Sequence, residues 1–206
     1  MKTALNPMTL PPIDFDCADC YYNKIKLGHI VIKTRKLPKG LGVDQFTIKN
    51  KAFFLKTKGS WTCANKHCLT DLYGYVSNYN LGDFLKDFGL THVVSRGFGE
   101  TMFSLDWQGS PFKVNWQHIS GDVSFHYSDG RILKLSSSAE NKIGLGRVLN
   151  LLSLQSLPQN ILTGFTRMGQ KGFEFNSLKG HVKILDGVGR TKDIELVGPI
   201  AWVDLN

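Results

Sequence analysis

Four cysteines, spaced Cys17-x-x-Cys20 and Cys63-x-x-x-x-Cys68, are the side chains of this sequence best suited to making or breaking bonds. A Cys-x-x-Cys knuckle can begin a tetrahedral zinc site, but the wider second spacing, with His67 beside it, supplies no second knuckle. Disulfides suit an even cysteine count in an oxidising compartment such as the bacterial periplasm, and which cysteine pairs with which stays open. The histidines at 29, 67, 92, 118, 126 and 181 are scattered, with His118 and His126 flanking one predicted strand. No Gly-x-Ser-x-Gly elbow or His-Glu-x-x-His helix organises them. Gly144-Leu-Gly146 opens like a dinucleotide loop, but no βαβ unit surrounds it. The expectation is a protein that is not an enzyme and has no cofactor and no metal centre.

Charge is the second chemical resource, and it is local. The chain carries 25 Lys and Arg against 17 Asp and Glu, a net charge of +8. Residues 24 to 58 hold ten of the basic groups against Asp44 alone, whereas 59 to 206 balance fourteen against thirteen. The pairs Lys24/Lys26, Lys49/Lys51 and Lys56/Lys58 are two apart, which in a strand places both members on one face. A solvated sheet face accounts for them, and a cationic surface near anionic headgroups is the functional alternative. With no finger, recognition helix or aromatic RNA-binding signature, no nucleic-acid partner is expected.

These groups need elements to position them. The chain has 206 residues, 42% of them hydrophobic, with 21 Gly and 13 Phe, which favours a β-rich fold with many turns. From Ile25 onward, short alternating runs such as Phe103/Leu105/Trp107, Val123/Phe125/Tyr127, Val182/Ile184 and Ile194/Leu196 read as consecutive antiparallel strands. Turns are expected at Pro38-Lys-Gly40, Gln108-Gly-Ser-Pro111, Ser128-Asp-Gly130 and Asp186-Gly187. Leu81, Phe84, Leu85 and Phe88 predict a short amphipathic helix near 80–89, closed by Gly89. A longer apolar helix is expected near 139–157, carrying Leu145, Val148, Leu149, Leu151, Leu152, Leu154 and Leu157 before Pro158 stops it. It would plug the sheet or act as a lid. No stretch reads as a membrane-spanning helix, because the longest charge-free run, Val148 to Thr166, is broken by Pro158 and polar residues. The N-terminus lacks a cleavable signal sequence, so the chain is read as cytosolic or as a piece of a longer exported protein.

Several motifs resemble one family in order and spacing. They are Ile13-Asp-Phe-Asp-Cys-Ala-Asp-Cys20, Lys24-Ile-Lys-Leu-Gly28, Gly59-Ser-Trp61, Leu81 to Gly89, Gly121-Asp-Val-Ser124, Asp129-Gly-Arg-Ile-Leu133, Gly146 to Pro158 and Lys171-Gly-Phe-Glu-Phe175. The sequence is similar to the C-terminal part of the YhdP branch of AsmA-like proteins, large envelope proteins of Gram-negative bacteria related to TamB. The resemblance implies one continuous β-groove segment over 1–206, truncated at both ends, with 139–157 as an inserted helix. The implied architecture is a long, curled antiparallel meander, U-shaped like a taco, with a hydrophobic groove. The implied role is to conduct phospholipids from inner to outer membrane, within the periplasm, as part of a protein anchored in the inner membrane. Its partners would be phospholipid acyl chains and, through the full-length protein, both membranes; envelope protein partners stay unspecified. The groove candidates are Ile25, Leu27, Ile30 and Ile32, then Leu41, Val43, Phe46 and Ile48, then Phe53, Leu55 and Trp61. Further along they are Phe103, Leu105, Trp107, Val123 and Phe125, followed by Phe173, Phe175, Val182, Ile184, Ile194 and Leu196.

Overall fold

A computed structural model describes residues 5–22, 25–64, 67–87, 94–133, 172–199 and 202–205. Isoleucine, valine, threonine and aromatic residues fill its strands, which suits a pleated, half-buried surface. The chain runs β1 (Asp14–Tyr22), β2 (Ile25–Leu37), β3 (Gly40–Lys49), β4 (Phe53–Ala64) and β5 (His67–Asn78). There follow α1 (Leu81–Asp87), β6 (Val94–Gln108), β7 (Ser120–Ile132), β8 (Phe173–Leu185), β9 (Val188–Arg190), β10 (Ile194–Val197) and β11 (Trp202–Leu205). They form one mainly antiparallel meander in sequence order, except that β10 follows β8 on the path and β9 pairs with β8 at its side. The order does not return from β11 to β1, so the sheet is not closed.

Turn chemistry explains the reversals. Asp186 and Gly187 both have left-handed backbones, φ 48° and 71°, the conformation a tight hairpin needs at its two central residues. Helix α1 starts at Asn80, whose side-chain oxygen accepts the Asp83 amide at 3.2 Å and whose amide group donates to the Asp83 carboxylate at 2.8 Å. It covers Leu81–Asp87 of the stretch expected at 80–89; residues 88–93 are outside the described residues.

Two expectations are corrected. Ser128-Asp-Gly130 is not a turn: β7 runs straight through it, with Asp129 at φ 52° absorbing the irregularity. A side chain at Gly130 would lie 2.3 Å from the Phe175 ring, so the glycine serves packing here. His126 consequently stands inside β7, on its exposed side, and not at a strand end. The apolar helix expected at 139–157, with Leu145, Val148, Leu149, Leu151, Leu152, Leu154 and Leu157, lies outside the described residues.

The chain divides into two compact units. Unit 1 comprises 1–77, 101–123 and 183–187, and unit 2 comprises 78–100, 124–182 and 188–206. Among the described residues, unit 1 is sheet without a helix, whereas unit 2 contains α1.

Candidate functional site

Strand register decides which side chains share a face, because directly opposed residues of neighbouring strands point the same way. In unit 1 two apolar rows cross four strands. Cys17 faces Ile30, Ile30 faces Ile48, and Ile48 faces Leu55. Beside it, Phe15 faces Ile32, Ile32 faces Phe46, and Phe46 faces Thr57. Ile30, Ile48 and Thr57 are buried, whereas Ile32, Phe46 and Leu55 are half-buried. Farther along the same strands Leu41 opposes Trp61, both buried, and half-buried Val43 opposes Gly59. Phe53 is buried near the β4 start.

Strand β6 continues the alternation. Phe103, Leu105 and Trp107 are turned inward, Trp107 fully, while Met102, Ser104 and Gln108 are exposed. Val123 and Ile184 of this unit are half-buried too. Half-buried Leu27 sits in β2 beside exposed Lys26; Ile25 opposes Tyr22 in the register.

The opposite face is polar and begins with acids against bases. Asp14 and Asp16 of β1 oppose Lys33 and Val31 of β2. Asp16 pairs with His29 at 2.8 Å, Asp14 with Lys33 at 3.9 Å and Asp19 with Lys26 at 2.9 Å. The Asp19 hydrogen bond and charge hold the Lys26 ammonium above its ordinary pKa. Arg35 pairs with Asp44. The β2 cations are thus largely matched, whereas exposed Lys49, Lys56 and Lys58 make no ion pair with a described residue.

Cys17 is bonded to Cys20 and Cys63 to Cys68, so both bridges are local and no thiolate is left to ligate a metal.

Unit 2 arranges its apolar residues differently. Phe173, Phe175 and Leu196 are buried in one cluster with Leu81 of α1 and Tyr127, and Phe84, Leu85 and Phe125 pack against it. The Tyr127 hydroxyl donates to Asn78 at 2.8 Å. Ile194 is buried and Val182 half-buried nearby in sequence terms, on β10 and β8. Four groove candidates, Phe125, Phe173, Phe175 and Leu196, are therefore part of a packed core with a helix on it. On the exposed side Glu174 accepts hydrogen bonds from Arg96, at 3.1 Å, and from Arg131.

Phe15, Thr57 and Tyr127 were not among the candidates read from sequence. Phe15 was findable by stepping two residues back from Cys17, while Thr57 is hidden between two lysines. Tyr127 continues the Val123/Phe125 alternation.

The family described as YhdP protein matches the whole chain, residues 1–206. This chain belongs to the YhdP family. It is 22% identical over 183 residues to the intermembrane phospholipid transporter YhdP of Escherichia coli strain K12. That similarity covers 89% of this chain and 14% of the relative, so the chain spans about a seventh of the length of that protein. No solved structure matches. Among the described residues, no helix is long and apolar enough to cross a membrane.

Proposed function

We propose that this chain is a lipid-holding segment of an intermembrane phospholipid transporter, in which acyl chains lie against the apolar face of unit 1 and headgroups stay in water. The observation that carries the reading is the pair of cross-strand apolar rows, Cys17 to Leu55 and Phe15 to Thr57, opposite a face of ion pairs and lysines. Half-buried Ile32, Phe46, Leu55, Phe103 and Leu105 keep area to give to a ligand. Among the described residues no second sheet or helix belongs to this unit.

The physics needs no catalytic group. Each acyl methylene removed from water contributes about 0.8 kcal/mol. Neighbouring strands repeat about every 4.8 Å, so successive positions along the face offer similar burial and a lipid passes between them over low barriers. The curled groove, the periplasmic setting, the inner-membrane anchor and movement toward the outer membrane belong to this proposal, supported by the family membership.

The test is photo-crosslinking in Gram-negative cells with probes at Phe103, Leu105 and Ser104. Phospholipid adducts at the first two and not at Ser104 are expected; a folded protein without adducts at all three overturns the reading. A second reading, a non-catalytic partner-binding module with a closed core, is favoured by one observation, the packing of α1 on Phe173 and Phe175. It gains if the probes stay silent.

A further inference from the structure

Antiparallel strands turn alternately at two ends, and at one end of unit 1 the successive connections are bonded side by side. The Cys63 amide donates to the Lys39 carbonyl, the Gly109 amide to the Cys68 carbonyl and the Gly187 amide to the Ile119 carbonyl, each at 2.8 Å. Thr70, whose side chain is buried, donates its hydroxyl to the Gly109 carbonyl, also at 2.8 Å. The result is a rim made of the turn at Lys39, the disulfide-linked Cys63 and Cys68 of β4 and β5, the 109–119 segment and the Asp186–Gly187 turn.

The 109–119 segment is held in place by its own bonds. Trp107 donates its indole N–H to the Ser110 carbonyl at 3.1 Å, as does the Lys113 amide at the same distance, and the His118 amide reaches Asn115 at 3.0 Å. Phe112 sets its ring edge-on to Trp61 at 6.0 Å. Yet Phe112 is 73% exposed, Trp116 66% and Leu185, beside the next turn, 57%. A segment fixed this firmly gains nothing in water from presenting two aromatic rings.

Its surroundings identify what the rings meet. Lys39 and Lys113 are exposed on the rim, and the rim's acid, Asp186, faces His118 at 3.8 Å. Asn115 lies between the rings in sequence and Gln117 follows Trp116; a dry protein interface would desolvate those amides, whereas a headgroup layer hydrates them. Separate projecting rings with an amphipathic indole, polar spacers and lysines fit the water–lipid boundary.

We propose that this rim docks on the surface of a phospholipid bilayer containing anionic lipid, with Phe112 and Trp116 at the headgroup–acyl boundary and Lys39 and Lys113 among the phosphates. The proposal is separate from lipid held on the sheet face, since either contact can exist without the other.

Flotation of the whole chain with phosphatidylethanolamine–phosphatidylglycerol vesicles tests it. Wild type floats; Phe112→Ala/Trp116→Ala, confirmed as folded by circular dichroism, binds roughly tenfold more weakly, and Lys113→Glu weakens binding and its salt sensitivity. Ser104→Glu, on the exposed side of β6, leaves flotation unchanged, and the lipid-holding face is read apart by the cross-linked adducts at Leu105. Failure of wild type to float, equal binding to pure phosphatidylcholine vesicles, or an unchanged double variant overturns the proposal.

Discussion

Glu174 is an exposed residue whose ionisation is coupled to its neighbours. The hydrogen bond and charge of Arg131, reinforced by Arg96, hold its carboxyl below its usual pKa. A carboxyl depressed in the folded state adds stability that is present above its unfolded pKa and is lost as pH falls through the folded one. Glu174→Gln should therefore lower the urea midpoint modestly at neutral pH, and the difference from wild type should vanish as pH falls through the lowered folded-state pKa of that carboxyl. A different residue-level constraint sits at Gly28, with φ 81°, where an added Cβ would lie 2.5 Å from the Lys49 carbonyl. Counting back from buried Ile30, simple alternation would expose Leu27 and turn Lys26 inward, but Lys26 is exposed and Leu27 half-buried. The left-handed glycine resets the faces. Gly28→Ala should cost about 1–3 kcal/mol in chemical denaturation, more than alanine at an ordinary strand position.

At the scale of elements, the Cys63–Cys68 bridge ties β4 to β5 and, through the Cys68 carbonyl, anchors the 109–119 segment. Its loop is short, with the cysteines five residues apart. Chain entropy therefore assigns it about 2 kcal/mol. Replacing both cysteines by serine should lower the unfolding midpoint to match, and reductant should have the same effect on a variant lacking only the other bridge. Helix α1 is held by Leu81, and Leu81→Ala should cost about 2–5 kcal/mol in the same measurement, since the residue is buried under Phe173 and Phe175 in one cluster. Elements of this kind were legible in the sequence because each carries a local signal: period-two alternation in β6, Asp-Gly at 186–187, and helical spacing from Leu81. The register was not. It slips between Lys33 and Thr34 and between Val43 and Phe46, and sequence marks such bulges only through a change in which positions are apolar. Ser128-Asp-Gly130 misled because the chemistry of a turn is also that of a bulge inside a strand. In the 109–119 segment local turn chemistry marks only Gly109 to Pro111, since nothing local signals that the segment bonds to the Cys68 carbonyl and Ile119 to Gly187.

For the molecule as a whole, the two units make opposite use of the same kind of face. In unit 2 the buried Phe175, 1% exposed, lies in a cluster with Leu81, so its apolar area is already spent on folding. In unit 1 the half-buried residues retain area, and a ligand that covers it binds the folded state alone. On the proposed lipid-holding role, linkage requires lipid to raise stability, by about 2.7 kcal/mol at a ligand concentration a hundred times the dissociation constant. For a chain of this size that is roughly 5–10 °C in Tm. Adding a short-chain phospholipid below its micelle concentration should produce a rise of that order in wild type and in Ser104→Glu, whose substituted side chain faces water. Leu105→Glu should lose the rise, because a carboxylate placed on the apolar face must be desolvated when an acyl chain covers it. Phe175→Ala separates the units: it should lower the starting Tm through a cost of about 3–5 kcal/mol yet keep the lipid-induced rise. A wild-type Tm indifferent to phospholipid would mean that the face of unit 1 is satisfied by its own packing, and the lipid-holding reading would fall with it.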